Sequence, residues 1–204
     1  TLLLTPLSAA LARALSRRLE ARRTARDHGL PAEPEELSDH VLIAGFGRVG
    51  QTVAQMANAQ GLKHLGIDLD PQRVAQCRRR DLAVFFGDAS RYELLEAAGA
   101  GKARAVVVTL DKVGQADRLV AALTQHHPDL PVYVRARDLE HAADLRGAGA
   151  TVAVPEAVEG SLQLGASLLQ GLGQEPVEVD ALLARLRAEG YAALAGGRGG
   201  KAGG

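Results

Sequence analysis

From residue 40 onward, short apolar runs alternate with helical segments, and this alternation limits the fold of the 204-residue chain more than any other feature. The runs are HVLIAGF (40–46), KHLGID (63–68), LAVFFG (82–87), ARAVVVTL (103–110), PVYVRA (131–136) and TVAVP (151–155). They are nearly continuous in hydrophobicity, the pattern of strands covered on both faces. Segments near 48–60, 71–80, 91–98, 114–126 and 138–147 lie between them and read as helices. Repeated strand–helix–strand units require right-handed crossovers, so the chain is α/β, with a doubly wound six-stranded parallel sheet of Rossmann-like kind.

Local punctuation agrees. Asp70 is placed as an N-cap and Pro71 as a first-turn residue. Asp88 or Ser90 is placed to cap the next helix, and the AGAGK run at 98–102 ends it with glycine. The pair His126 and His127 closes another helix before Pro128. Beyond Pro155, Val158, Leu162, Ala166, Leu169 and Leu172 line one side of a helix, and a last helix of about 178–194 follows Pro176.

Upstream of the sheet, Leu4, Leu7, Leu11, Leu15 and Leu19 form one helical stripe followed by an arginine cluster. Two readings fit residues 1–23: an amphipathic helix packed on the domain, or the cytoplasmic end of a membrane helix with its arginines inside. Residues 24–39, with two prolines and an acidic run, read as a linker. The resulting plan is a sheet domain at 40–155, C-terminal dimerisation or regulatory helices at 156–194 and a disordered, glycine-rich tail at 195–204.

Composition narrows the partners. Twenty-four basic residues balance 24 acidic ones, aromatics are 3% and Trp is absent. Nothing there attracts a polyanion or stacks bases, so no nucleic-acid partner is expected. The single Cys77 excludes an internal disulfide, and the histidines show no metal-ligand spacing.

The chemistry is concentrated in GFGRVG. Gly45 permits a tight turn off the first strand, Gly47 lets backbone approach a pyrophosphate, and Gly50 lets the helix lie close to the strand. Helix N-terminal amides then face the phosphates, and Arg48 either reaches one of them or is solvated. Asp68, eighteen residues past Gly50, ends the second strand where an acid accepts from ribose hydroxyls and repels a 2′-phosphate. That favours NAD(H) or an adenine nucleotide over a 2′-phosphorylated one. Asp88, in FFGDAS, either contacts ligand at the carboxyl edge or caps the following helix.

Groups for catalysis are scarce. An oxidoreductase needs a substrate site and a proton donor beside the cofactor. Residues after 155 contain no His, no Cys and one Tyr, and no Tyr-x-x-x-Lys pair exists. The chain therefore reads as a binder and not an enzyme.

The sequence VLIAGFGRVGQ, with IDLDP, FFGDAS, LLEAAGAGKARAVVVTLD and VRARD, resembles the RCK, or TrkA-N, regulatory domain of bacterial potassium transport. The version fused behind Kef-type potassium/proton antiporters is the most similar, over about residues 40–170. The resemblance implies a cytosolic gating module, on the cytoplasmic face of the bacterial inner membrane, that forms a homodimer and binds NAD(H) or AMP as a regulatory ligand. It implies phosphate contacts along Gly45, Phe46, Gly47, Arg48, Val49 and Gly50, ribose at Asp68, and adenosine beside Asp88 and Ala89. It also implies a transmembrane antiporter domain on the same chain and, for some relatives, a flavoprotein ancillary subunit. Glutathione-regulated members use an arginine of the RARD motif, which points to Arg135 and Arg137. As residues alone, these are two same-face cations suited to a carboxylate, or surface arginines paired with neighbours such as Asp138. The last helix lacks the aromatic- and Asn-bearing pattern of those members, which sets glutathione control apart from nucleotide binding.

Overall fold

A computed structural model describes residues 38–191. The leucine-striped N-terminal segment, most of the linker and the glycine-rich tail lie outside the described residues. Six strands form one sheet: β1 (Val41–Ala44), β2 (His64–Asp68), β3 (Val84–Phe86), β4 (Ala105–Val108), β5 (Val132–Ala136) and β6 (Val152–Pro155). Their order is β3-β2-β1-β4-β5-β6. The pairs β1–β2, β1–β4, β2–β3 and β4–β5 are all parallel. The order reverses at β1, where the chain leaves β3 at one edge and returns on the far side of β1 as β4. In such sheets the crevice at this reversal receives ligands.

Among the described residues, seven α-helices accompany the strands: α1 (Arg48–Ala59), α2 (Pro71–Arg78), α3 (Tyr92–Ala97), α4 (Val113–His126), α5 (Leu139–Gly147), α6 (Glu156–Gly171) and α7 (Pro176–Ala188). The cap assigned to Asp70 is present: its Oδ1 accepts from the amides of Gln72 (2.9 Å) and Arg73 (3.1 Å), with Pro71 in the first turn. Helix α3 differs from expectation. Neither Asp88 nor Ser90 caps it; Arg91 sits at the N-cap without a side-chain bond. Asp88 closes its own turn one residue too early, accepting from the Ser90 amide (3.0 Å) and hydroxyl (2.7 Å).

The described residues divide into two compact units, one of 38–134 with 145–152 and one of 135–144 with 153–191. The core of the first gathers Ile43, Phe46, Ala54, Val74, Leu82 and Val84 around Cys77, whose thiol is pushed up in pKa by burial. That makes the cysteine a packing residue, since reactivity requires the thiolate. Phe46 is fully buried and packs against Gly66, where a Cβ would stand 2.2 Å from the ring.

In the second unit α6 and α7 pack through Leu162, Ala166, Val179 and Leu183, flanked by Val158, Leu169 and Leu186. Leu172 does not join them and is exposed, because α6 stops at Gly171 and the chain turns there. The last helix begins at Pro176 itself and ends at Ala188. Gly190 and Tyr191 then adopt positive φ, which breaks the helix and carries the Tyr191 hydroxyl back to Glu159 at 2.6 Å. Among the described residues no helix is long and apolar enough to cross a membrane.

Candidate functional site

The three glycines of the loop meet three different demands. Gly45 has φ +92°, and a Cβ there would lie 3.0 Å from Thr109 Oγ1 and 3.2 Å from the Thr109 carbonyl, so only glycine fits between β1 and β4. At Gly50 a Cβ would stand 2.3 Å from the Gly45 oxygen, which keeps α1 against the turn that launches it. At Gly47 a Cβ would meet nothing within 4 Å. Its lack of a side chain therefore serves no packing purpose and leaves open space in front of the backbone.

That space is lined by donors. The Gly45 amide bonds to Ile67 and the Gln51 amide to Gly47. Between them, the amides of Gly47, Arg48, Val49 and Gly50 have no acceptor among the described residues. These are the unpaired N–H groups of the start of α1, where the helix dipole adds its positive end. Arg48 is exposed and Val49 half-buried. Phe46 contributes differently: its ring belongs to the core, and its amide donates to Asp68 Oδ2 at 2.6 Å. A buried Thr109 steadies the loop from β4 by donating its hydroxyl to the Gly45 carbonyl at 2.7 Å. Open space bordered by unpaired amides fits a phosphate or pyrophosphate.

Asp68 ends β2 beside this loop and is almost wholly buried, its side chain 7% exposed. Its Oδ1 accepts from the Asp70 amide (2.8 Å) and from Arg73 Nη1 (2.8 Å). Its Oδ2 accepts from the Phe46 amide and from the same Nη1 at 2.9 Å. The hydrogen bond to Asp68 is the main reason the Arg73 guanidinium has a raised pKa. Asp88, at the end of β3, uses one oxygen on Ser90; Oδ2 has no partner among the described residues. Ala89 is buried behind it.

Each arginine of the RARD motif is matched by a carboxylate. Arg135 Nη1 donates to Glu156 at 2.9 Å and Arg137 Nε to Asp138 at 2.9 Å. Asp138 is held below the usual carboxylate range, first by the His141 amide and then by Arg137. An incoming carboxylate would compete with these local partners.

Sequence reasoning passed over Arg73 and Thr109. Arg73 had a readable signal: it stands three residues after the capping Asp70, so the first turn of α2 returns it toward the end of β2. Thr109 had none, because its role depends on β4 lying next to β1.

A model of the TrkA-N domain matches residues 41–156. The chain belongs to the TrkA-N domain family. It is 40% identical over 166 residues, 81% of its length, to K(+) efflux antiporter 1, chloroplastic, of Arabidopsis thaliana, covering 14% of that protein. It is 39% identical over 141 residues, 69% of its length, to the glutathione-regulated potassium-efflux system protein KefC of Klebsiella pneumoniae, covering 23% of it. This TrkA-N domain thus spans under a quarter of the length of those relatives. Among solved structures it resembles the Shewanella denitrificans Kef CTD in AMP-bound form, with TM-score 0.65 and 33% identity over 76% of this chain and 95% of that one.

Proposed function

We propose that the chain is the ligand-sensing regulatory region of a potassium/proton antiporter of the Kef type, carried on the same polypeptide as a transmembrane transport domain. It binds AMP or NAD(H) at the Gly45–Gly50 loop as a signal. The single observation that carries this reading is Gly47, where a side chain would meet nothing within 4 Å, set among four amides that have no acceptor among the described residues, at the switch point of the sheet. The AMP carried by the similar Kef CTD and the transport function of the similar antiporters support it. In this reading Arg48 adds a cation for phosphate, and Asp68, Asp88 and Ala89 border the ribose and adenosine.

The region works as a homodimer at the cytoplasmic face of the membrane, and ligand shifts the dimer's geometry. A ligand moves such an equilibrium only by its difference in affinity for the two states, for which a coupling of about 1–3 kcal/mol is typical. Glutathione, suggested by the name of the similar KefC protein, is assigned to Arg135 and Arg137 and must displace Glu156 and Asp138 from them. An ancillary flavoprotein belongs to the same scheme.

Isothermal calorimetry with AMP and NADH tests the reading: saturable binding of either is expected, with no NADH consumption. Binding of neither ligand at millimolar concentration overturns it. Steady NADH turnover with an added substrate favours the rival, a small NAD-dependent oxidoreductase.

A further inference from the structure

We propose that Arg73 occupies the ribose seat of the site, holding the acceptor positions on Asp68 that a ribose diol requires, so that a nucleotide bound through its hydroxyls displaces this side chain. The inference rests on the nucleotide reading above and adds a residue that sets its threshold. A carboxylate offers about four acceptor positions. On Asp68 all four are filled: one each by the Phe46 and Asp70 amides, and one on each oxygen by Arg73 Nη1. A diol needs two.

The two amides cannot yield. One belongs to the glycine loop and the other to the turn into α2, and both are placed by the backbone. Arg73 can yield. Its side chain is 37% exposed, and its long stem leads toward water. It also has a second partner, because Nη2 lies 3.3 Å from Asp70 Oδ2, the capping residue's oxygen that faces away from the helix amides. On release from Asp68 the guanidinium keeps this contact, so displacement is cheap enough for two hydroxyl bonds to drive it. Asp68 then presents one free position on each oxygen, the arrangement that two adjacent hydroxyls match.

The test measures AMP and 2′,3′-dideoxy-AMP binding to the 204-residue chain and to Arg73→Met by calorimetry. The dideoxy analogue leaves Arg73 where it is, and it reports any general effect of losing a cation near phosphate. The expected result is that the affinity ratio of AMP to dideoxy-AMP rises about 3- to 10-fold in R73M, the size expected for removing from the competition one ion pair whose arginine is partly exposed. A ratio that is unchanged or smaller overturns the proposal; a smaller one makes Arg73 a direct ribose ligand. Should R73M fail to fold, R73Q replaces it, and its weak neutral donor is expected to raise the ratio in the same direction. If wild-type chain binds neither nucleotide, the nucleotide reading falls and this inference with it. If wild type binds AMP and the ratio does not move, only the inference falls.

Discussion

Gly47 and Gly50 are three residues apart, yet substitution separates them. Gly47→Ala places its methyl in open space at φ −67°, a conformation any residue adopts, so the fold is expected to survive. In the proposed site the methyl would stand in the path of the phosphate, and AMP affinity is expected to fall at least about tenfold, or about 1.4 kcal/mol, by calorimetry. Gly50→Ala drives its methyl to 2.3 Å from the Gly45 oxygen, and backbone cannot move aside as a side chain does. About 1–3 kcal/mol of stability is expected to be lost, read as a lower melting temperature with or without ligand. The motif itself was legible in the sequence because each glycine's demand is local. The state of Asp68 was not, since the sequence placed a carboxylate at the end of β2 without showing how many donors would converge on it.

The entry of β1 carries a pH dependence. His40 is buried, its Nε2–H donates to the Ala98 carbonyl at 3.1 Å, and Nδ1 has no partner among the described residues. Burial lowers its pKa below the ordinary 6.5, and burial does the same to His64 at the start of β2. Both are therefore favoured neutral in the folded state, while the unfolded chain takes up protons near pH 6.5. Their contribution is present above that pH and is lost as pH falls from there through the lower folded values. The melting temperature is expected to drop between pH 7 and pH 5, and the drop is expected to shrink in the double substitution His40→Gln, His64→Gln. In the other unit, Glu159 holds α6 to α7. It accepts from Arg187 Nε and Nη2 and from the Tyr191 hydroxyl, and chiefly through Arg187 its carboxyl is held below the usual range. Glu159→Gln is expected to weaken the helix pair by about 1 kcal/mol, seen as an earlier urea transition in that unit. These elements were expected close to their true limits. The last helix ends earlier than its sequence predicts because the positive φ of Gly190 and Tyr191 goes with a hydroxyl bond to a residue 32 positions before Tyr191.

At the scale of the whole molecule, the second unit leaves apolar side chains uncovered among the described residues. Leu164 and Leu168, 74% and 61% exposed, lie one turn apart on one face of α6, and Leu172, 71% exposed, follows just past the helix end. Single exposed leucines are ordinary; two on one helix face with a third beside its end are what a partner surface presents. In the homodimer proposed above, a second copy is expected to cover this face. Replacing Leu164 and Leu168 together by Glu is expected to halve the mass measured by sedimentation while leaving AMP affinity of the protomer within a few fold. A wild-type chain that sediments as a monomer at micromolar concentration would remove this face from the dimer scheme. The proposed glutathione site lies on Arg135 and Arg137 and not on the loop, so Arg135→Ala is expected to leave AMP binding intact by calorimetry.

The sequence by itself determined the alternation of strands and helices, the glycine loop at the first crossover and the acid at the end of β2. Each of these is written in the spacing of neighbouring residues, where steric and periodic rules act locally. Only the tertiary structure decided that Thr109 braces the loop, that Arg73 already fills Asp68, that Phe46 gives its ring to the core and its amide to the same carboxylate, and that Leu172 faces outward. Those outcomes depend on strands separated by a crossover being laid side by side and on several donors competing for one acceptor. Such competition is resolved in space, by distance and direction, and leaves no period along the chain.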